Sequence, residues 1–448
     1  MRLSLMNDSK RPSNTNRAGL PEHPQRSALL AEVHARPVAP LRPPQHLTHL
    51  ALYSGTGEHE RELAHIGALC REFGIDPPAA KTDHVLLETQ AFRLRWEPHT
   101  EFSTYTLFSH APDGQPFQTT GLDAVPAHWI AKLPGKLLAA THLSLVQADT
   151  VAEYPERMAE YFDLQSLTGS RCAGGAATVW TDFRSKPDGF TRFLVIDRGL
   201  RPAQAGRLIQ RLLEIETYRL MALLALPIVR QLMPEITGME NALGELTDRM
   251  ASARDTEQEQ GLLEALSSLS ADVERIIAQN NFRLGAAAAY SALVRRRIDA
   301  LRETRVEGVS TVHEFMGRRL VPAMDTCQAI TERLDRLSRR VSRAVSLLRS
   351  RVDLALEAQT RDLLESMNRR TRLQLRLQTT VESLSVVILS YYTIGLIHHA
   401  LVGLEASGLH VPVELLTGLS IPVVIPAVAG GIFAIHRWVE RADAGATK

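Results

Sequence analysis

The spacing of hydrophobic and polar positions changes at about residue 200. Before that point the pattern is mixed: apolar and charged residues alternate over 92–97, the period of a half-buried strand, and a second apolar run follows at 102–108. The short polar interval between these runs predicts a β-hairpin. Residues 57–74 carry apolar positions at helical spacing and end at a glycine, as helices commonly do. We therefore predict an α+β domain over residues 29–200.

Long helices are predicted over 201–383, where apolar residues recur at steps of three and four. Neither Gly nor Pro occurs among the 72 residues of 323–394, so a single helix of roughly 110 Å can run through them. A seam of apolar positions within it is typical of a coiled coil or a helical bundle. The seam consists of Ile330, Leu334, Leu337, Val341, Ala344, Leu348 and Val352. We expect copies of the chain to associate through this stalk as a homo-oligomer.

Two apolar stretches near the C-terminus predict a two-helix transmembrane hairpin over 384–435. The stretches 384–403 and 415–435 contain no Lys, Arg, Asp or Glu, and each has the length of about 20 residues that a bilayer core requires. Basic residues flank the pair on both sides and are absent from the connecting loop, so the positive-inside rule places both chain ends in the cytoplasm. Residues 436–448 then form a cytoplasmic tail. The alternative is a buried apolar hairpin inside a soluble protein.

Polar residues in and beside these spans are candidates for an ion path. His398 and His399 lie in the first span, and Glu405 follows it. Ionisable groups are costly to bury in a bilayer and therefore often mark a functional site. Because these residues lie close to the outer end of the span, we favour packing at the membrane interface for the two histidines.

The overall charge argues against nucleic acid as a partner. The chain of 448 residues has 51 Lys and Arg against 50 Asp and Glu, a formal net charge of +1, so no bulk field attracts a polyanion. Its three cysteines lie far apart and form no CxxC pair, which argues against a disulfide framework and against a structural zinc site of the usual spacing. Residues 1–28 are polar, and we expect them to be disordered.

The N-terminal domain contains several histidines, and histidine is the commonest metal ligand. His34, His49 and His99 are the candidate metal ligands, although no HExxH or similar helix-borne pair occurs. His46 and His49 are three residues apart on a predicted strand and therefore point to different faces. We predict no catalytic residue and no cofactor, and the pattern identifies no small-molecule ligand.

Two further features offer weaker chemical candidates. Cys172 precedes an Ala-Gly-Gly sequence that could form a nucleophile turn, but no base can be paired with it. Arg184 and Arg192 flank a predicted hairpin turn at 187–189 and could bind an anion. The sequence has no phosphate-binding loop of the GxGxxG or GxxxxGK[ST] type.

Four segments resemble the bacterial domain-of-unknown-function family 3422. They read EVHARP from Glu32, FRLRWEPHTEFSTYT from Phe92, LLEIETYRLMALLALP from Leu212 and LQLRLQTTVESLSVVILSYYTIGL from Leu373. The resemblance extends over about 29–435. It implies a membrane-anchored protein, which we expect in the bacterial inner membrane, and it implies no catalytic residues.

The architecture alone is similar to that of CorA-type magnesium channels. Those channels carry a Gly-Met-Asn motif at the outer end of the first span, whereas this chain has Gly403 followed by Leu404 and Glu405. The departure argues against selective magnesium conduction. Our leading hypothesis is a non-enzymatic, self-associating scaffold or sensor on the cytoplasmic face of the inner membrane. The alternatives are an oligomeric ion channel or transporter and a metal-dependent enzyme that uses the histidine-rich domain.

Overall fold

The computed structural model describes residues 23–27, 29–30, 38–55, 57–80, 82–110, 115–151, 155–407 and 412–446. The chain divides into two compact units. The first unit contains the described residues up to 251 together with 264–344, and the second contains 252–263 and the described residues from 345 onwards. The boundaries predicted near residues 200 and 383 remain predictions, and most of the segment predicted to be disordered lies outside the described residues.

Nine strands within the described residues form a single sheet in the first unit. The strands are β1 Gln45–Tyr53, β2 Val85–Glu88, β3 Phe92–Pro98, β4 Phe102–His110, β5 Lys136–Gln147, β6 Thr168–Cys172, β7 Ala177–Thr181, β8 Thr191–Asp197 and β9 Thr304–Arg305. Their order across the sheet is β2-β3-β4-β1-β5-β8-β7-β6-β9. The neighbours are antiparallel except for β5 and β8, which are parallel.

Strands β3 and β4 form the hairpin that the alternating pattern predicts. Leu94 and Trp96 of β3 lie opposite Leu107 and Tyr105 of β4, and all four side chains are buried. They pack on one face of the sheet in a cluster that includes helix α1, His59–Glu72. Pairs of large apolar side chains across neighbouring strands stabilise a sheet, and burial of each one contributes about 1.5–3 kcal/mol.

Long helices follow the sheet, which confirms the predicted order of an α+β part and then helices. The other α-helices within the described residues are α2 Ala127–Ile130, α3 Pro202–Leu223, α4 Ala225–Ser252, α5 Thr256–Asp299, α6 Val312–Arg319, α7 Val321–Ala406 and α8 Val413–Ala446. Helix α7 contains the whole segment without Gly or Pro, as predicted. Helix α8 extends through most of the tail predicted at 436–448.

Helix α3 covers the face of the sheet opposite to α1. Met221 of α3 packs in a buried cluster with Ala51 of β1, Phe102 of β4 and Ala139 of β5. The side chains of this face come from the alternate positions of the same strands whose other residues contact α1. The central strands are therefore covered on both faces, which explains why so few of their residues are exposed.

A proline-rich segment, 38–44, runs along the first turns of α3. The N–H of Leu41 donates to the carbonyl of Pro202 over 3.0 Å. A Cβ atom at Gly206 would lie 2.1 Å from the carbonyl oxygen of Ala39, so only glycine permits this approach of the two backbones. The segment is thereby fixed against α3 at the edge of the cavity described below.

The long helices α4, α5 and α7 form an intrachain bundle in the first unit. Arg333 of α7 donates from Nε to Glu240 of α4 over 2.8 Å, and Ser338 of α7 donates to Glu274 of α5 over 2.6 Å. The predicted seam lies in this part of α7, and its buried members in the first unit are Ile330, Leu334, Leu337 and Val341. These residues are therefore buried within one chain, and association of copies through the stalk remains a prediction.

The chain returns to the sheet after α5. Strand β9, Thr304–Arg305, pairs with the outer side of β6. The carboxylate of Glu303 accepts hydrogen bonds from the N–H groups of Val312 (3.1 Å) and His313 (2.7 Å) at the start of α6. A carboxylate at this position satisfies N–H groups that have no partner inside the helix and interacts favourably with the helix dipole.

Candidate functional site

A cavity of about 230 Å³ lies in the first unit between the sheet and helix α3. Its floor comes from β1, β3 and β4, and its roof comes from α3, with contributions from the segment 38–41 and from α5. Both apolar and charged side chains line it. The charged and histidine members are His49, Arg95, Glu97, His99, Glu214 and Arg297.

His49 is held in one orientation by two threonine hydroxyls. Its Nδ1 lies 2.8 Å from Thr106 Oγ1 on β4, and its Nε2 lies 3.1 Å from Thr217 Oγ1 on α3. Burial, with smaller contributions from His99 and Arg95, lowers the pKa of His49 to about 3. The imidazole is therefore neutral at physiological pH and links the sheet to the helix above it.

Two ion pairs belong to the charged lining of the cavity. Arg95 donates from Nη2 to Glu97 Oε1 over 2.7 Å along strand β3. Across the cavity, Arg297 of α5 pairs with Glu214 of α3, whose other oxygen accepts from the amide of Gln210 over 2.9 Å. Because these pairs are only partly exposed, they are screened less by solvent than ordinary surface pairs.

The structure brings two of the three candidate metal ligands to this cavity. His49 and His99 both line it, and the ring of His99 stacks on Phe102 with the ring centroids 4.3 Å apart. His34 lies outside the described residues. Within the described part of the chain, no group of three or more His, Cys, Asp or Glu side chains is arranged to hold a metal ion. His46 points to the opposite face from His49, as predicted, and contacts Thr119.

The weaker candidates are engaged elsewhere in the fold. The thiol of Cys172 is buried, and burial raises its pKa to about 12, so the thiolate nucleophile is not populated at neutral pH. Arg184 pairs with Asp163 (3.0 Å), and Arg192 pairs with Asp188 (3.0 Å). These two arginines therefore already have anionic partners within the chain.

The second unit carries the apolar hairpin. Two helical stretches, Val312–Ala406 and Val413–Ile435, are long and apolar enough to cross a membrane, and almost none of their apolar windows is buried. His398 Nδ1 of α7 lies 3.3 Å from Thr417 Oγ1 of α8, so the histidine joins the two helices. The ring of His399 lies 5.9 Å from that of His398, and Glu405 is exposed.

The sequence pattern missed most of the cavity residues. Arg95 and Glu97 occupy the polar positions of the alternating strand β3, which normally indicate a face exposed to solvent. In the structure α3 covers that face. A usable signal was His49 on β1 together with Thr104 and Thr106 on β4, which line the same cavity. These residue types suit a surface that is polar but covered by another element. Glu214 and Arg297 gave no such signal because they lie on helices far apart in the sequence.

Comparison with known families gives one result that covers most of the chain. A family model described as "Protein of unknown function (DUF3422)" matches residues 21–439. Neither the curated proteins nor the solved structures contain a match. The family match covers the sheet, the cavity, the long helices and both apolar stretches. The chain therefore belongs to the DUF3422 family.

Proposed function

We propose that this protein is a non-enzymatic scaffold or sensor anchored in the bacterial inner membrane by α8 and the C-terminal part of α7. The observation that supports the proposal is the exposure of large apolar side chains on both helices. Examples are Leu396 of α7 and Phe433 of α8, each about two-thirds exposed or more. Water-soluble proteins rarely expose continuous apolar surface of this length, whereas a bilayer covers it.

The proposed orientation places both chain ends in the cytoplasm. Arg369, Arg370, Arg372 and Arg376 precede the first span, and Arg437, Arg441 and Lys448 follow the second. The connecting loop has no Lys or Arg. Basic residues near the ends of spans remain on the cytoplasmic side, which supports a short loop outside and the sheet domain inside.

A topology reporter tests this orientation. An enzyme that is active only outside the cytoplasm is expected to be active when it is inserted in the loop at 407–411 and inactive when it is fused after Lys448. The opposite pattern at these two positions would reverse the proposed orientation.

Self-association is proposed through the exposed part of α7 that follows the intrachain bundle. Leu356, Leu363 and Leu377 are exposed and are separated by multiples of seven residues, with Arg370 in the intervening position. Apolar residues at a seven-residue repeat favour pairing with another helix that has the same repeat. A second copy of the chain supplies such a helix.

Truncation tests the anchor. A chain that ends at Gln378 is expected to remain in the supernatant after high-speed centrifugation in high salt, because both apolar stretches lie beyond that residue. The full chain is expected to sediment with the membrane fraction under the same conditions. Sedimentation of the truncated chain with membranes would show that the anchor lies elsewhere.

A shorter truncation separates anchoring from self-association. A chain that ends at Val352 lacks the exposed repeat of α7 but keeps the sheet and the bundle. Both truncated chains are expected to be soluble. Light scattering should give the mass of a monomer for the shorter chain and at least twice the mass of its own monomer for the longer chain. A monomeric longer chain would remove self-association from the proposal and leave the anchor unaffected.

A further inference from the structure

The arginines that line the cavity have more N–H groups than the protein supplies with acceptors. A guanidinium carries five N–H donors in a planar fork. In the described part of the chain, Arg95 uses one of them, toward Glu97, and Arg297 uses one, toward Glu214. Both side chains line the cavity, so their remaining N–H groups are available to an acceptor inside it.

The acceptors of the same cavity are largely used. One oxygen of Glu214 accepts from Gln210 and the other accepts from Arg297. Both nitrogens of the neutral His49 lie within hydrogen-bonding distance of threonine hydroxyls. The second oxygen of Glu97 and the buried Oε1 of Gln210, which has no hydrogen-bond partner among the described residues, remain. The unused N–H groups of Arg95 and Arg297 outnumber these acceptors, and this balance matches an anion better than a cation.

Part of the lining is apolar and favours a ligand with a hydrophobic body. Leu47, Phe108, Ile209 and Leu213 line the cavity together with Phe102. The cavity volume of about 230 Å³ exceeds that of a 150 Å³ protein cavity known to hold benzene. The space therefore matches one ring, or a short branched chain, together with one small polar group.

We propose that this cavity binds a small organic carboxylate with a single apolar ring or short chain. The free N–H groups of Arg95 donate to the carboxylate, since a planar guanidinium matches a carboxylate with two parallel hydrogen bonds. The apolar body occupies the space beside Ile209 and Leu213. This ligand site goes beyond the proposed scaffold or sensor role and does not depend on membrane anchoring.

Benzoate is a suitable probe because its ring and carboxylate match the size and chemistry of the cavity. The full chain, purified in detergent, is dialysed to equilibrium against radiolabelled benzoate, and empty micelles provide the blank. We expect saturable binding of one benzoate per chain with a Kd in about the millimolar range, as is usual for so small a ligand. Benzamide and benzylamine have nearly the same shape without the negative charge, and we expect each to bind at least about tenfold more weakly.

Variants then locate the binding site. Arg95→Gln is expected to weaken benzoate binding about tenfold or more, because a hydrogen bond to a charged group is lost. Leu213→Phe fills the space and is expected to weaken binding without removing any charge. The matched control is Arg157→Gln, since Arg157 is exposed and lies away from the cavity; it should bind as the native chain does. Thermal unfolding of each variant checks that it is folded.

Two results would overturn the proposal. The first is a native chain that does not bind benzoate, or that binds benzylamine equally well, because the donor surplus would then not select an anion. The second is a folded Leu213→Phe variant that binds benzoate as tightly as the native chain, because the site would then lie elsewhere. Neither result depends on the fold or stability of Arg95→Gln.

Discussion

Replacing Leu337 or Val341 of α7 by aspartate is expected to lower the free energy of unfolding of the first unit by several kcal/mol. Both side chains are at most 1% exposed, on the side of α7 that faces the bundle. A carboxylate there loses its hydration, and the apolar contacts of the native side chain are lost as well. Urea unfolding followed by tryptophan fluorescence measures the change.

Arg339→Asp provides the matched control for these two variants. Arg339 lies on the same helix between the two buried positions, but its side chain is exposed. An aspartate at this position is therefore expected to lower the free energy of unfolding by only on the order of 0.5 kcal/mol. If all three variants unfold at the same urea concentration, the packed seam assigned to α7 is wrong.

Arg283→Met is expected to lower the free energy of unfolding by about 3–5 kcal/mol, because it leaves a buried carboxylate without its cation. Glu101, in the turn between β3 and β4, is 1% exposed. One of its oxygens accepts from Arg283 Nη1 (3.1 Å) and from the hydroxyl of Tyr290 (2.9 Å), and the other accepts from Arg283 Nη2. The pair joins the hairpin to α5.

A double variant separates two contributions to the free energy of unfolding: the penalty for leaving Glu101 without a cation, and the net stabilisation by the ion pair. Glu101→Leu combined with Arg283→Met removes both charges, and we expect it to be more stable than Arg283→Met alone. Arg275→Met, on the exposed side of the same helix, is expected to change the free energy of unfolding by about 0.5 kcal/mol or less. If Arg283→Met proves as stable as Arg275→Met, the buried carboxylate of Glu101 does not need the Arg283 guanidinium for stability.

Local patterns predicted the elements whose structure depends on neighbouring residues. The alternation over 92–97 gave the β3–β4 hairpin, because a period of two places Leu94 and Trp96 on one face. The absence of Gly and Pro over 323–394 gave the continuous helix α7. In both cases the physical cause acts over a few residues and is therefore visible in a short window.

The cavity and the buried ion pair depend on residues that the fold brings together from distant positions. Arg283 is separated from Glu101 by 182 positions in the sequence, and Arg297 is separated from Glu214 by 83. Each of these residues occurs in a local pattern that also fits an exposed charge. Only the packing of α3 and α5 on the sheet shows that they are partly or fully covered.

The same distinction applies to the seam of α7. The three-four spacing correctly indicated packed apolar residues, and it is compatible with a partner helix from the same chain or from another chain. The structure supplies α4 and α5 of the same chain as partners for the part in the first unit. The spacing of apolar residues carries no information on which chain the partner helix belongs to.

The pairing of β9 with the outer side of β6 has a consequence for the nascent chain during synthesis. Strand β6 ends at Cys172, and its outer neighbour begins only at Thr304, after α3, α4 and α5. During synthesis the N–H and C=O groups on that side of β6 stay unpaired until all three helices have been translated. An open strand edge is a site at which nascent chains pair wrongly. The interval between β6 and β9 is therefore a period in which one edge of the growing sheet is open to wrong pairing.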